Sequence, residues 1–275
     1  MSDTIDLIPL QAWIGKTETV QDYLTQSLID RFRATLDPYL WTCDVPLGLH
    51  WCLALATLPT NDLSEDGHTK KGGFLPPVPL PSRMWAGGEV VHHHDLIVNT
   101  PVTRISTVTD IAAKQGKSGN LVFVTVESEF YSGDKLCIID RQTIVFRGLS
   151  ILGKPARPKA SQTGTGSLEY CLTPNPVLLF RYSALTFNSH RIHYDGDYAQ
   201  NSEGYADLVI HGPLQATLLL NQAANSGGLA PKRFSFRGVA PVMLGNSIEI
   251  HQKDDAVWCQ NADGFKSFVA RFSDT

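Results

Sequence analysis

The 275-residue sequence lacks the long apolar run of a membrane span, since no stretch approaches about 18 consecutive apolar residues. It also lacks a basic and apolar leader at its start, where Asp3 and Asp6 stand instead. No basic run is present and the formal net charge is -4, a pattern that does not suit nucleic-acid binding. These absences predict a cytoplasmic protein that binds neither a membrane nor a nucleic acid.

Cysteine is scarce and scattered. The five cysteines are odd in number and form no Cys-x-x-Cys pair. Paired cysteines at short spacing would be needed for a structural zinc site, and an even set for a disulfide framework. We therefore expect reduced, mostly buried thiols and no metal.

A linker composition divides the chain in two. Residues 151–166 are rich in Gly, Pro, Ser and Thr, which disfavour regular structure. Before the linker, apolar periodicity predicts helices over 20–36 and 46–56, and alternation predicts strands at 89–98, 102–111, 121–131 and 135–146. After it we predict a strand or helix over 177–185, a helix opened by Gly212-Pro213, and strands at 234–242, 247–252, 256–261 and 266–272.

The same order of elements on both sides indicates a tandem duplication. We predict an α+β fold of two halves, residues 1–150 and 167–275, each a central helix wrapped by an antiparallel sheet. Only the second half carries a cluster of chemically active side chains.

That cluster lies in residues 188–195, Asn-Ser-His-Arg-Ile-His-Tyr-Asp, and is followed by His211-Gly212-Pro213. A neutral imidazole can exchange protons near neutral pH, and the amide of Asn188 can orient a water. A glycine at a helix N-terminus offers an unobstructed N–H to an oxyanion. The candidate catalytic residues are Asn188, His190, His193 and Gly212.

Structural roles are the alternative for each of these residues. His193 is then a loop histidine and Asn188 a turn-capping amide. For His190, catalysis and structural support are given equal weight. His211 more often supports the helix turn. Asp195 is best interpreted as a helix N-cap.

Residues 188–195 with His211-Gly212 resemble the motif of MaoC-like, hotdog-fold enoyl-CoA hydratases, Asp-x-Asn-Pro-x-His-x-Asp followed by His-Gly. Residues 72–88, Gly-Gly-Phe-Leu-Pro-Pro-Val-Pro-Leu-Pro-Ser-Arg-Met-Trp-Ala-Gly-Gly, resemble the double-hotdog subgroup of mesaconyl-C4-CoA and itaconyl-CoA hydratases. The resemblance implies a double hotdog fold, with His193 as the catalytic histidine and Gly212 as the donor to the thioester oxygen.

The sequence departs from this motif at three positions. Asn188 stands where the family usually has Asp, His190 where it has Asn, and Arg191 where it has Pro. Because an amide cannot accept a proton as a base, the acid–base scheme of the family does not transfer intact.

The resemblance implies an acyl-CoA hydratase acting on itaconyl-CoA or mesaconyl-C4-CoA, with no cofactor. The C-terminal half would be catalytic, the N-terminal half would shape the acyl pocket, and a homodimer is compatible with both roles. The alternatives are a dehydratase of fatty 3-hydroxyacyl thioesters and a non-catalytic acyl-thioester binding module.

A dicarboxylic acyl group would require a cationic partner when it is desolvated. Arg83 and Arg181 are the candidates for this contact. The other residues predicted to bind substrate are Trp85, Tyr182, Arg191, His211 and Arg237.

Overall fold

The computed structural model describes residues 5–116, 119–148 and 166–275. Within this part of the chain ten strands form one antiparallel sheet: β1 (Thr17–Leu24), β2 (Ser82–His92), β3 (Thr100–Gly116), β4 (Gly119–Ser132), β5 (Lys135–Arg147), β6 (Ser167–Leu172), β7 (Arg233–Gly238), β8 (Ile248–Lys253), β9 (Ala256–Gln260) and β10 (Lys266–Ser273). The α-helices over the same residues are α1 (Ile8–Gln11), α2 (Gln26–Leu36), α3 (Pro176–Leu185), α4 (Gly196–Asn201) and α5 (Gly212–Gly227). None of these described helices is long and apolar enough to cross a membrane.

The strand order repeats between the two halves. Across the sheet it is β1-β3-β4-β5-β2-β7-β10-β9-β8-β6. When the sheet is followed inward from either edge, the five strands of each half come in the order first, third, fourth, fifth, second, numbered within that half. The second strands, β2 and β7, pair antiparallel and join the halves. This confirms the α+β fold, while residues 149–165, which hold most of the predicted linker, lie outside the described residues.

The predicted strands are present with shifted ends, and the segment at 177–185 is a helix. Asn175 caps this helix, α3, by accepting a hydrogen bond from the N–H of Leu178 at 2.9 Å. The sequence analysis missed β6, whose residues are exposed or half-buried. With little of the strand buried, no clear alternation of apolar residues marks it.

The helix predicted over 20–36 is wrong at its start. Residues Thr17–Leu24 form β1, which pairs with β3 along its whole length. Helix α2 begins at Gln26, after Thr25 accepts a hydrogen bond from the N–H of Leu28 at 3.1 Å. The side chain of Thr25 therefore marks the change from strand to helix.

The helix predicted over 46–56 is also wrong, because only a 3-10 turn, Leu49–Cys52, forms there. Helix α5 occupies the space that a longer helix would need. Gly48 lies directly against it, since a Cβ at Gly48 would lie 2.9 Å from Oγ1 of Thr217. Buried Asn221 satisfies the irregular backbone beside this turn, accepting from the N–H of Trp41 at 3.0 Å and donating to the Leu47 carbonyl at 3.1 Å. The expected central helix of the N-terminal half is thus reduced to one turn.

Helix α5 runs through a core that both halves share. Its residues 214–224 are all buried, and its core neighbours come from both sides of the β2–β7 junction. Its first residue, Gly212, packs against Trp85 of β2, with 3.1 Å between the position of an added Cβ and Cε3 of the indole. The N-terminus of α5 therefore meets a strand of the other half.

Candidate active site

The segment between α3 and α4 folds as a tight turn that directs two imidazoles inward. Oδ1 of Asn188 accepts a hydrogen bond from the N–H of His190 at 3.0 Å. Asp195 accepts one from the N–H of Tyr198 at 3.1 Å, which is the N-cap geometry predicted for it. His190 and His193 are 6% and 7% exposed. Asn188 therefore has the turn-capping contact of the structural alternative.

His193 is held in one tautomer. Its Nδ1 lies 2.7 Å from the carbonyl oxygen of Val209, and because a carbonyl only accepts, Nδ1 carries the hydrogen. Burial lowers the pKa of His193 to about 4, although the bond to Val209 opposes this. The imidazole is therefore neutral near pH 7 and presents a lone pair on Nε2.

His211 and Gly212 complete this side of the site. The ring of His211 stacks on that of His193 with 3.7 Å between centroids, and its Nε2 lies 2.8 Å from Oγ of Ser183. Its buried Nδ1 has no hydrogen-bond partner among the described residues. Gly212 opens α5, where the first N–H groups lack intrahelical acceptors and form the positive end of the helix dipole. An oxyanion held there would be stabilised.

Two residues of the N-terminal half reach the same site. Nδ1 of His68 lies 3.0 Å from Oδ2 of Asp66, and the His68 ring packs on that of His190 with 4.0 Å between centroids. Sequence reasoning missed both residues, because Asp-Gly-His in a polar loop is unremarkable by itself. The Asp-x-His spacing is the one local signal that could have indicated a paired carboxylate and imidazole.

Backbone contacts fasten this loop to the motif. The N–H of Arg191 donates to the carbonyl of Asp66 at 3.0 Å, and Oγ of Ser189 donates to the carbonyl of Gly67 at 2.5 Å. Gly67 has a φ of +87°, and a Cβ there would collide with the carbonyl oxygen of Ser189. A glycine is thus required where the two halves meet.

Asp66, His68 and His190 bring their oxygen and nitrogen atoms within 4.8 Å of one another. The hydrogen bond between Asp66 and His68 accounts for two of these groups. Burial and the neighbouring imidazoles of His68 and His193 lower the pKa of His190 to about 2, so it is neutral. One hydrogen bond and the packing of two rings therefore join the three side chains.

Arg83 lies beside this cluster, on the wall of a cavity of about 430 Å³ that Asp66, Lys71 and Glu203 also line. Its guanidinium donates to the carbonyl of Thr69 at 2.7 Å, and its Nε lies 3.8 Å from Oδ2 of Asp66. The residue is 8% exposed, and its buried Nε has no hydrogen-bond acceptor among the described residues. Arg83 is therefore a buried cation whose Nε–H has no acceptor among the described residues.

The structure brings three more of the predicted substrate-binding residues to this region. Trp85 packs on Gly212. The hydroxyl of Tyr182 lies 3.3 Å from Oγ1 of Thr217, and its ring centroid is 5.1 Å from that of His211. Arg191 bonds Oδ2 of Asp195 at 2.8 Å, so its charge is already paired.

Arg181 and Arg237 do not join the cluster. Tyr182 faces inward on α3, so the adjacent Arg181 lies on the exposed side, where it donates to the carbonyl of Ala34 at 3.2 Å. On β7 the side chain of Phe236 faces the core, and strand alternation turns Arg237 to the opposite, exposed side.

Comparison with known proteins shows the family to which the chain belongs. The model of the family "hydroxyacyl-thioester dehydratase type 2" matches residues 48–244. The chain is 42% identical over 241 residues to mesaconyl-C(4)-CoA hydratase of Chloroflexus aurantiacus, covering 84% of each chain. It is 28% identical over 266 residues to the mitochondrial hydroxyacyl-thioester dehydratase type 2 of Schizosaccharomyces pombe, covering 84% of this chain and 88% of the yeast protein.

Solved structures match the whole fold. A MaoC-like dehydratase from Phytophthora capsici aligns with a TM-score of 0.67 at 15% identity, covering 98% of both chains. A Mycobacterium tuberculosis protein with a double hotdog fold aligns with a TM-score of 0.57 at 13% identity, covering 94% of this chain and 95% of that one. The double hotdog fold implied by the sequence is confirmed, and the chain belongs to the hydroxyacyl-thioester dehydratase type 2 family.

Proposed function

We propose that this protein is an acyl-CoA hydratase that adds water reversibly to the double bond of an enoyl-CoA thioester. The observation that carries the proposal is the neutral His193, whose ring stacks on that of His211, the residue directly before the first N–H of α5. The Chloroflexus relative, named as a hydratase, supports the same activity.

Hydration requires a group that activates water at Cβ and a donor that stabilises the enolate-like thioester oxygen. Nε2 of His193 accepts a hydrogen bond from the attacking water and orients it. The N–H of Gly212 holds the thioester oxygen, assisted by the helix dipole. These steps use side chains and backbone of the protein alone, so the proposed reaction needs no cofactor.

The substrate class we propose is a short dicarboxylic enoyl-CoA, as in itaconyl-CoA or mesaconyl-C4-CoA. Arg83 supports this choice, because its buried guanidinium retains a free Nε–H for a carboxylate. Lys71 adds a second cation to the cavity wall, which also carries the acids Glu65, Asp66 and Glu203, and Asp66 offsets part of the charge of Arg83. Arginine suits such a contact because its planar fork binds both oxygens.

Dehydration of a fatty 3-hydroxyacyl thioester is the second candidate, since the matching family and the yeast relative carry that name. The same residues would serve it in reverse. A binding module that retains a thioester without turnover is the candidate from another class. The cytoplasmic location and the homodimer stay predictions, as does the expectation that the N-terminal half has no active site of its own and shapes the acyl pocket.

The first prediction concerns the substrate. We expect the purified protein to hydrate mesaconyl- or itaconyl-CoA faster than crotonyl-CoA, and His193→Ala to abolish turnover while the fold is kept. Arg83→Met should raise KM for the dicarboxylic thioester by the loss of a charged hydrogen bond, about 1.5 to 3 kcal/mol, and leave KM for crotonyl-CoA nearly unchanged. A spectrophotometric assay of the three thioesters measures this.

Exposed Arg181 provides the matched control, and Arg181→Met should behave as the wild type. If Arg83→Met raised KM equally for the charged and the uncharged thioesters, the dicarboxylate assignment would be wrong and the fatty-acyl candidate would be favoured. Binding of all three thioesters without turnover would favour the binding module.

A further inference from the structure

The imidazoles around the motif differ in what their ring nitrogens contact. His193 contacts a neutral carbonyl and His211 a neutral hydroxyl, whereas His68 contacts the carboxylate of Asp66. Hydrogen bonds between an imidazolium and a carboxylate are roughly twice as strong as neutral ones. Within the described part of the cluster, a transient positive charge is therefore best stabilised on His68.

Asp66 fixes the tautomer of His68. Oδ2 of Asp66 lies 3.0 Å from Nδ1, and an ionised carboxylate only accepts, so Nδ1 carries the hydrogen and Nε2 the lone pair. Burial acts to raise the pKa of Asp66, but its hydrogen bonds from His68 and the charge of Arg83 hold that pKa well below its usual range. The carboxyl group thus stays ionised.

Nε2 of His68 is free to exchange a proton with a bound molecule. No described residue hydrogen-bonds to it, and the His68 side chain is 29% exposed. The remaining charged and titratable groups that act on this ring are Arg83 on β2 and His190 and His193 in the motif. The partly buried position lowers the pKa of His68, Asp66 opposes this, and Arg83 lowers it further, so the ring is neutral near pH 7.

We propose that His68, oriented by Asp66, is an acid–base catalytic residue of the site in the C-terminal half and replaces the carboxylate that Asn188 cannot supply. The inference rests on the proposed hydratase function. It also explains why the loop at 66–68 is fastened to the motif through Gly67, Ser189 and Arg191.

The proposed step balances without a further reactant. An O–H bond of water breaks and its proton goes to Nε2 of His68, while the water oxygen forms the C–O bond at Cβ. The electron pair of the double bond moves into the thioester enolate, held by the N–H of Gly212. The same proton then passes from the His68 imidazolium to Cα, and His193 orients the water through its Nε2.

The second prediction tests this role with His68→Gln. We expect kcat for the enoyl-CoA that the wild type hydrates best to fall by about 10²- to 10⁴-fold, the usual contribution of general acid–base catalysis, with a smaller change in KM. A matched pair lies on β8, where Nε2 of His251 is 3.0 Å from Oε2 of Glu249. His251→Gln and Glu249→Gln should keep the wild-type kcat.

Asp66→Asn is the second variant, because its amide oxygen can still accept from His68. Removal of the negative charge lowers the pKa of His68. The acidic limb of the pH–kcat profile, which reflects protonation of His68, should therefore move to lower pH, and kcat should fall. A residue that only supports the loop would lower kcat without moving this limb. Circular dichroism verifies that both variants are folded.

The outcomes separate this inference from the proposed function. Full activity of His68→Gln, or an unmoved acidic limb in Asp66→Asn, overturns the role of His68 and leaves the hydratase standing if the wild type is active. A wild type that hydrates no enoyl-CoA overturns both. A stoichiometric metal in the purified wild type that is lost in His68→Gln also overturns the proton-transfer role.

Discussion

At the scale of single residues, one further carboxyl group is buried away from the motif. Asp140 on β5 is 1% exposed, and its Oδ2 accepts hydrogen bonds from Nε1 of Trp51 at 3.0 Å and from Nε2 of Gln142 at 2.5 Å. Burial raises its pKa to about 7, although these bonds and Arg104 oppose the shift. Asp140 therefore titrates near neutral pH in the folded protein.

The third prediction follows from the sign of this shift. The folded state binds a proton at Asp140 between the ordinary pKa of 3.8 and about 7, so the contribution of Asp140 to stability is lost as pH rises through this window. Asp140→Asn can keep both bonds to its oxygen without a charge. We expect the variant to exceed the wild type in stability above pH 7, by up to about 4 kcal/mol for about three pKa units.

Urea unfolding of wild type and variant across this pH window measures the difference. Asp134, exposed in the turn between β4 and β5, gives the control variant Asp134→Asn, which should parallel the wild type. A wild type and an Asp140→Asn variant with the same pH dependence of unfolding would contradict the prediction.

At the scale of elements, the two ends of α5 have different roles. Gly212 at the first position packs on Trp85, whereas a Cβ at Gly227, the last residue of the helix, would meet nothing within 4 Å. Both glycines lie in helical backbone, since neither has a positive φ. Comparing a methyl group added at one end with a methyl group added at the other therefore distinguishes an effect on helix stability from an effect on the chemistry at the N-terminus.

The fourth prediction compares Gly212→Ala with Gly227→Ala. Both should change the free energy of unfolding by about 1 kcal/mol or less, because alanine favours helix and Trp85 can move by a few tenths of an ångström. Only Gly212→Ala should reduce kcat, by about 10²-fold, because its methyl group crowds the donor N–H. Urea unfolding and the hydration assay measure the two effects, and an active Gly212→Ala variant would remove Gly212 from the oxyanion site.

At the scale of the whole molecule, the two halves share one sheet and one core. Val90 of β2 and Phe234 of β7 pair across the junction, and both are completely buried. The largest cluster of buried apolar side chains contains residues of α2, of α5 and of strands from both halves. Since neither half can expose its junction without opening the common core, we expect them to unfold together.

The fifth prediction tests this cooperativity. Phe234→Ala should lower the free energy of unfolding by about 3 to 5 kcal/mol, as expected for a buried aromatic residue. The urea transition should remain single, with tryptophan fluorescence and far-UV circular dichroism in agreement. Phe180→Ala on the outer face of α3, where the side chain is 68% exposed, should change little. Two separate transitions would show that the halves are independent.

Local patterns in the sequence were sufficient for much of the fold. Alternation over 121–131 predicted β4, because each second residue of that strand is buried. Gly212-Pro213 followed by an apolar run predicted α5, since proline suits the first helical turn. The motif at 188–195 predicted the imidazoles of the site, because they are close along the chain.

Tertiary structure decided what depends on distant segments. Residues 46–56 are as apolar as a buried helix, yet α5 fills that space and Asn221 satisfies the irregular backbone beside it. Asp66 and His68 reach the motif only because the N-terminal half docks on it, across 122 residues between Gly67 and Ser189. A sequence pattern reports periodicity over a few turns, so it determined every described strand except β1 and β6, together with α5 and the motif imidazoles. Packing between the halves decided which segment occupies the shared core. It also decided which carboxylate joins those imidazoles.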